Sequence, residues 1–209
     1  MNTHNPSDFY NTIKQRERAE IKVRGSIFIA TAIPVSSKDM ALKELDALRS
    51  EYFDASHNCF AYRFGKNGLE FRTSDDGEPS GSAGKPMLFI LQKNDVSDIL
   101  LVITRYFGGT KLGIGGLARA YSGASSLVLE SCIKVPIFSS ADIKVFCTYD
   151  DVSAVKKVID EYALYHDSHY HDAIEFIAKI PLSKIEEFCD AIVSVSAGRA
   201  GTVIQKNDN

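Results

Sequence analysis

The chain has 209 residues, of which 44% are apolar and 24% charged, with a net charge of −3. That balance excludes a disordered, collagenous or coiled-coil chain. The longest apolar runs, Met87–Leu91 and Ile99–Ile103, fall far short of the roughly 18 residues a membrane helix needs.

Charge is unevenly divided. Residues 1–135 carry 17 Lys and Arg against 15 Asp and Glu, and residues 136–209 carry 7 against 12. Bulk electrostatics therefore does not drive the chain onto nucleic acid, and only a local basic patch would. The N-terminal MNTHNPSDFY lacks a basic stretch followed by an apolar one. Cys59, Cys132, Cys147 and Cys189 show no CxxC spacing, which argues against a disulfide framework or a zinc ribbon. A reducing, cytoplasmic setting is expected.

In chain order, Glu20–Arg24 and Ser26–Val35 read as strands about Gly25. Ser36 and Asp39 open a helix with Ala41, Leu45, Leu48 and Tyr52 on its buried stripe. Asn58–Phe64 and Leu69–Thr73 form a hairpin turning at Gly65–Gly68. Pro86–Gln92 starts a short helix, and Asp98–Thr104 is a buried strand. A helix over Gly115–Ile133 turns Ala120, Ala124, Leu127 and Val128 inward. Eleven of the 14 glycines lie between Gly65 and Gly123, and Pro136 interrupts the helical pattern. Both features place a division near Val135–Phe138, giving domains 1–135 and 136–209.

Beyond it, Ala141, Ile143, Val145 and Cys147 alternate as a strand. Asp150 opens a helix with Val152, Val155, Ile159 and Tyr162 on one face. Leu164–His171 and Ile174–Ile180 are strands. Ser183 and Glu186 make a capping-box pattern before a second helix, and Gly201–Gln205 is a last strand. The order β-α-β-β-α-β is the ferredoxin-like split βαβ, in an α+β protein.

Two loops exceed what a fold requires. Thr73–Pro86 (TSDDGEPSGSAGKP) gathers Asp75, Asp76, Glu78 and Lys85. Its carboxylates suit a hard cation such as Mg²⁺, or they satisfy backbone N–H groups in an ordered turn. Thr104–Tyr121 (TRYFGGTKLGIGGLARAY) leaves a strand through paired glycines into a helix. Arg105, Lys111 and Arg119 bracket Gly113, Gly115 and Gly116, which reads as a phosphate or nucleic-acid backbone site, or as a tight turn bringing helix and sheet together. No Walker or dinucleotide fingerprint occurs. His57 and Cys59 share a strand face, either as a nucleophile pair or as a packed cysteine beside a surface histidine. His166, His169 and His171 supply too few ligands on one face for zinc. Phe28, Tyr62, Phe64 and Phe71 alternating with Arg24, Arg63 and Arg72 form a stacking sheet for single-stranded nucleic acid or a core.

Asp54–Gly65 (DASHNCFAYRFG), Ser74–Pro86 and Val102–Tyr121 together resemble the IMPACT family, in its bacterial YigZ-type two-domain form. The resemblance implies a ribosomal protein S5 domain 2-like first domain with one left-handed βαβ crossover, and a second domain like domain V of elongation factor G. It also implies kinship with eukaryotic regulators of translation. Matching motif positions include His57, Arg63, Asp75, Asp76, Glu78, Lys85, Arg105, Tyr106, Lys111, Gly113, Gly115, Gly116 and Arg119. The expected function is a cytosolic, non-enzymatic factor linked to translation, binding RNA, the ribosome or a protein partner at a polar cleft between the two loops. No cofactor is expected beyond the candidate Mg²⁺ at Asp75, Asp76 and Glu78. The alternative is an enzyme acting on a phosphorylated small molecule or nucleotide at the same cleft.

Overall fold

A computed structural model describes residues 9–66, 68–170 and 174–205. It divides into two compact units, Tyr10–Ile137 and the residues from Phe138 onward together with Phe9.

The first unit is built on a five-stranded sheet. Strands β2 (Glu17–Val23) and β3 (Ser26–Pro34) form a hairpin whose turn residues, Arg24 and Gly25, both have positive φ, the geometry of the tightest hairpin turns. Helix α1 (Lys38–Glu51) starts at Ser37, whose hydroxyl accepts from the Met40 N–H. Strands β4 (His57–Phe64) and β5 (Glu70–Ser74) make a second hairpin, followed by α2 (Gly84–Lys93), β6 (Ile99–Tyr106) and α3 (Gly113–Ser131). The sheet order is β2-β3-β6-β4-β5, with every neighbouring pair antiparallel. Strand β6 lies at the centre and is covered on both faces, so Ile99–Ile103 is an unbroken apolar run before Thr104 and Arg105.

Two connections cross between parallel strands, β3-α1-β4 over β6 and β5-α2-β6 over β4. Helix α1 packs with Phe60, Tyr62, Leu100 and Val102 on one face. Helices α2 and α3 pack with Cys59, Ala61, Leu101 and Ile103 on the other. The crossings run in opposite directions from oppositely directed strands but use opposite faces, so they have opposite hands. One is therefore left-handed, as the family resemblance implies and against the usual preference of about 98%.

Several details depart from the sequence pattern. Strand β1 (Phe9–Ile13) was not foreseen; it forms a two-stranded ribbon with β7 (Lys134–Phe138). Pro136 lies inside β7 rather than ending a helix, which a two-stranded ribbon tolerates because every strand in it is an edge. Leu127 is 40% exposed, because it sits on the flank of the α3 stripe formed by Leu117, Ala120, Ala124 and Val128. The aromatic stacking sheet does not exist. Phe28 is buried on one face of the sheet and Tyr62 and Phe64 on the other, which leaves Phe71 exposed.

The second unit runs β8 (Ser140–Cys147), α4 (Val152–Tyr162), β9 (Tyr165–Tyr170), β10 (Ile174–Pro181), α5 (Ile185–Val195) and β11 (Gly201–Ile204). Its antiparallel order, β11-β8-β10-β9, is the ferredoxin-like arrangement. Ile143, Val145, Ile159, Phe176, Phe188 and Ile192 form its core. The residues at the N-caps of α4 and α5, Asp151 and Lys184, make no side-chain capping bond. Instead the Asp151 carboxylate accepts from Arg199 Nε and Nη2 at 3.0 and 2.6 Å and from the Thr148 hydroxyl at 3.0 Å, tying the start of α4 to the approach of β11. The Arg199 bonds hold its carboxyl below the usual range.

Candidate functional site

The three motifs converge where β4 begins and β6 ends. Residues 74–84 wrap over this end of the sheet and are ordered by their own carboxylates. Asp75 Oδ1 accepts from the N–H groups of Ala83 and Gly84, both at 2.9 Å, and Oδ2 accepts from Gly81 at 2.8 Å. These are the donors that open α2, so Asp75 caps that helix from eight residues upstream. Burial raises its pKa, but the three backbone bonds and Lys85 outweigh it, and the carboxyl lies below 3.8. Asp76 has positive φ, and its Oδ2 accepts from the Asn58 N–H at 2.6 Å. His57 Nδ1 lies 2.7 Å from the Asp76 carbonyl; a carbonyl only accepts, so Nδ1 carries the hydrogen.

Beneath this loop lies a buried polar cluster. Arg105 Nη1 donates to Glu78 Oε1 at 2.6 Å, and the Tyr121 hydroxyl donates to the same oxygen at 2.8 Å. The Glu78 and Arg105 side chains are 3% and 5% exposed. His57 Nε2 stands 3.9 Å from Glu78 Oε2, beyond hydrogen-bond range. The Arg105 guanidinium lies 5.4 Å from the centres of both the Phe28 and Phe107 rings. Cys59 Sγ is 3.0 Å from the Asp75 carbonyl and 3.3 Å from the Tyr121 oxygen. Burial pushes the Cys59 thiol up to about 12, so it stays protonated near neutral pH and is a poor nucleophile.

Glycine lets two loops touch here. A Cβ on Gly108 would stand 1.8 Å from the Gly25 carbonyl carbon, so the exit from β6 rests directly on the β2–β3 turn. The Ser26 hydroxyl, which accepts from the Gly108 N–H and from Arg105 Nη2, bonds the same junction.

Of the anticipated binding residues, His57, Asp75, Asp76, Glu78 and Arg105 meet in this cluster. The acidic loop does face the basic one, but only through Glu78 and Arg105. The three carboxylates point to backbone donors and a guanidinium in different directions, and no group of His, Cys, Asp or Glu among the described residues is disposed to hold a metal ion. Arg63 lies at the other end of β4, buried, with Nη1 3.4 Å from the Leu91 carbonyl. It therefore takes no part in the cleft. Tyr106 bonds Asp54 across the outer loops at 2.8 Å. Lys85, Lys111, Gly113, Gly115 and Arg119 are exposed, and Gly116 is half-buried. His166 bonds Asp160 at 2.8 Å, His171 lies outside the described residues, and no zinc-like group forms among the described residues.

Sequence reasoning assigned no role to Tyr121 or Ser26. Tyr121 is the last residue of the third motif and the only polar side chain on the apolar stripe of α3 apart from Ser125. Its place on that stripe was the available signal.

Residues 24–129 match the Impact N-terminal domain, and residues 145–199 match a domain of unknown function, DUF1949. The chain belongs to the IMPACT family. The IMPACT family member YvyE of Bacillus subtilis is 32% identical over 195 residues, 91% of this chain and 88% of that one. YigZ of Escherichia coli, also of the family, is 29% identical over 180 residues, 85% and 88% of the two chains. A crystal structure described as that of a hypothetical protein superposes with a TM-score of 0.66 at 25% identity, over 96% of this chain and 99% of that one. The two-domain arrangement is thus shared with bacterial relatives of the family along nearly the whole chain.

Proposed function

We propose that this protein is a cytoplasmic, non-enzymatic factor linked to translation, docking through its first domain on an anionic partner, an RNA or a ribosomal surface. The observation that carries this reading is the sorting of charge in the motif loops. Glu78 and Asp75 are turned inward onto Arg105 and backbone donors, whereas Lys85, Lys111 and Arg119 face outward. An exposed cationic surface over a rigid, internally neutralised base suits phosphate recognition. Family resemblance to eukaryotic regulators of translation supports the translational setting. The protonated Cys59 thiol argues against nucleophilic catalysis by the His57–Cys59 pair.

The test is co-sedimentation of the tagged protein with ribosomes from lysate, with and without ribonuclease. Association lost on ribonuclease treatment and weakened by Lys111→Ala with Arg119→Ala is expected. A defined protein retained after ribonuclease, with no ribosomal association, overturns the RNA reading in favour of a protein partner.

A further inference from the structure

Two depressions flank the first turns of α3. One, of about 530 Å³, is lined by Lys85 and Phe89 from α2 and by Ala118, Arg119 and Ser122 from α3. The other, of about 320 Å³, lies between β2 and α3 and is lined by Ile21, Arg24, Gly116 and Arg119 among others. Arg119 lines both, so Lys85, Arg119 and Arg24 form one cationic track across the helix. Neither lining contains an acidic residue. Among the described residues, none of the three cations forms an ion pair. Phe89 is 61% exposed; it lies off the buried α2 stripe of Met87, Leu88, Ile90 and Leu91.

We infer that this track binds single-stranded RNA, with phosphates on Lys85, Arg119 and Arg24 and a base stacked on Phe89. The inference rests on the reading of an anionic partner and narrows it to one ligand class and one site. Three exposed cations, none of them in an ion pair among the described residues, match a backbone of repeated phosphates. An exposed aromatic ring beside them supplies the stacking surface that sequence-tolerant single-strand binding uses. The shallow open shape suits a strand passing over it better than an enclosed small molecule. A duplex, with its bases stacked inside, gains nothing from Phe89.

The experiment measures fluorescence anisotropy of a labelled 12-nucleotide oligouridylate, titrated with the full chain at several salt concentrations. Binding that weakens with salt is expected. Lys85→Ala, Arg24→Ala and Arg119→Ala should each flatten the plot of log affinity against log salt by about 0.7. Phe89→Ala should weaken binding about 5- to 150-fold with that slope unchanged. Arg119→Lys keeps the charge and should keep the slope, and thermal melts of each variant verify folding. Absence of oligouridylate binding overturns the inference. So does equal binding by the Arg24→Ala, Lys85→Ala, Arg119→Ala triple variant, or tighter binding of a duplex than of the single strand. Ribosome association that survives in the triple variant sinks this site while leaving the translational reading standing; loss of ribosome association by the wild-type chain sinks the wider reading.

Discussion

The two motif loops of the first domain are both polar and glycine-rich, yet they use their charges in opposite ways. Residues 74–86 turn their carboxylates inward: Asp75 onto the start of α2, Asp76 onto the start of β4, and Glu78 onto Arg105. Residues 107–119 keep Lys111 and Arg119 at the surface, where no carboxylate among the described residues pairs with them. Conspicuous charge in a sequence therefore has two meanings. Inward charge sets the geometry of a surface, and outward charge determines what the surface meets.

The sharpest way to break this contrast is Glu78→Gln. It leaves Arg105 buried without a counter-charge, and breaking such a pair costs about 3–5 kcal/mol. Urea unfolding should show a loss of that order; a loss below about 1 kcal/mol would mean that water or rearrangement satisfies Arg105. Asp75→Ala is expected to cost about 1–3 kcal/mol, since it strips three backbone donors of their acceptor. Because the folded pKa of Asp75 is lowered, its contribution is present above the unfolded value and is lost as pH falls through the folded one. The penalty of Asp75→Ala should therefore shrink below about pH 4, and a penalty constant from pH 7 to pH 2 would contradict the capping role. The smallest effect is expected from Lys111→Ala and Arg119→Ala, each within about 0.5 kcal/mol of wild type in the same unfolding assay. A large loss from either would show that these side chains staple the loops, erasing the distinction between the two.

What the sequence made legible follows from how local each signal is. The alternation in β8 and β10, the turn about Gly25 and the body of α1 are set by neighbours a few residues apart, and pattern finds them, although the cap of α1 is Ser37 rather than the expected Ser36. Strand β1 is invisible to pattern because it pairs with β7, more than a hundred residues away. Within the site, residue types were informative but directions were not. Nothing local distinguishes Glu78, aimed at Arg105 and Tyr121, from a solvated acid, or Arg63, packed against Leu91, from a cleft cation. The second domain shows the same limit: Asp150 and Ser183 fit capping patterns, whereas Asp151 engages Arg199, 48 residues on.

The strand order of the first sheet bears on how the domain is made. Strands β3 and β4 both border β6, and both leave the ribosome before it. Until residue 106 has emerged, the two hairpins β2–β3 and β4–β5 have no strand between them, and each presents an apolar, unpaired edge reserved for β6. Open edges of that kind invite wrong pairing during synthesis. The central strand is thus the last piece of the sheet to arrive, and its insertion closes both edges in a single event. Substitutions that slow β6 insertion should appear first as poor yield of nascent chains, before any change in the finished protein.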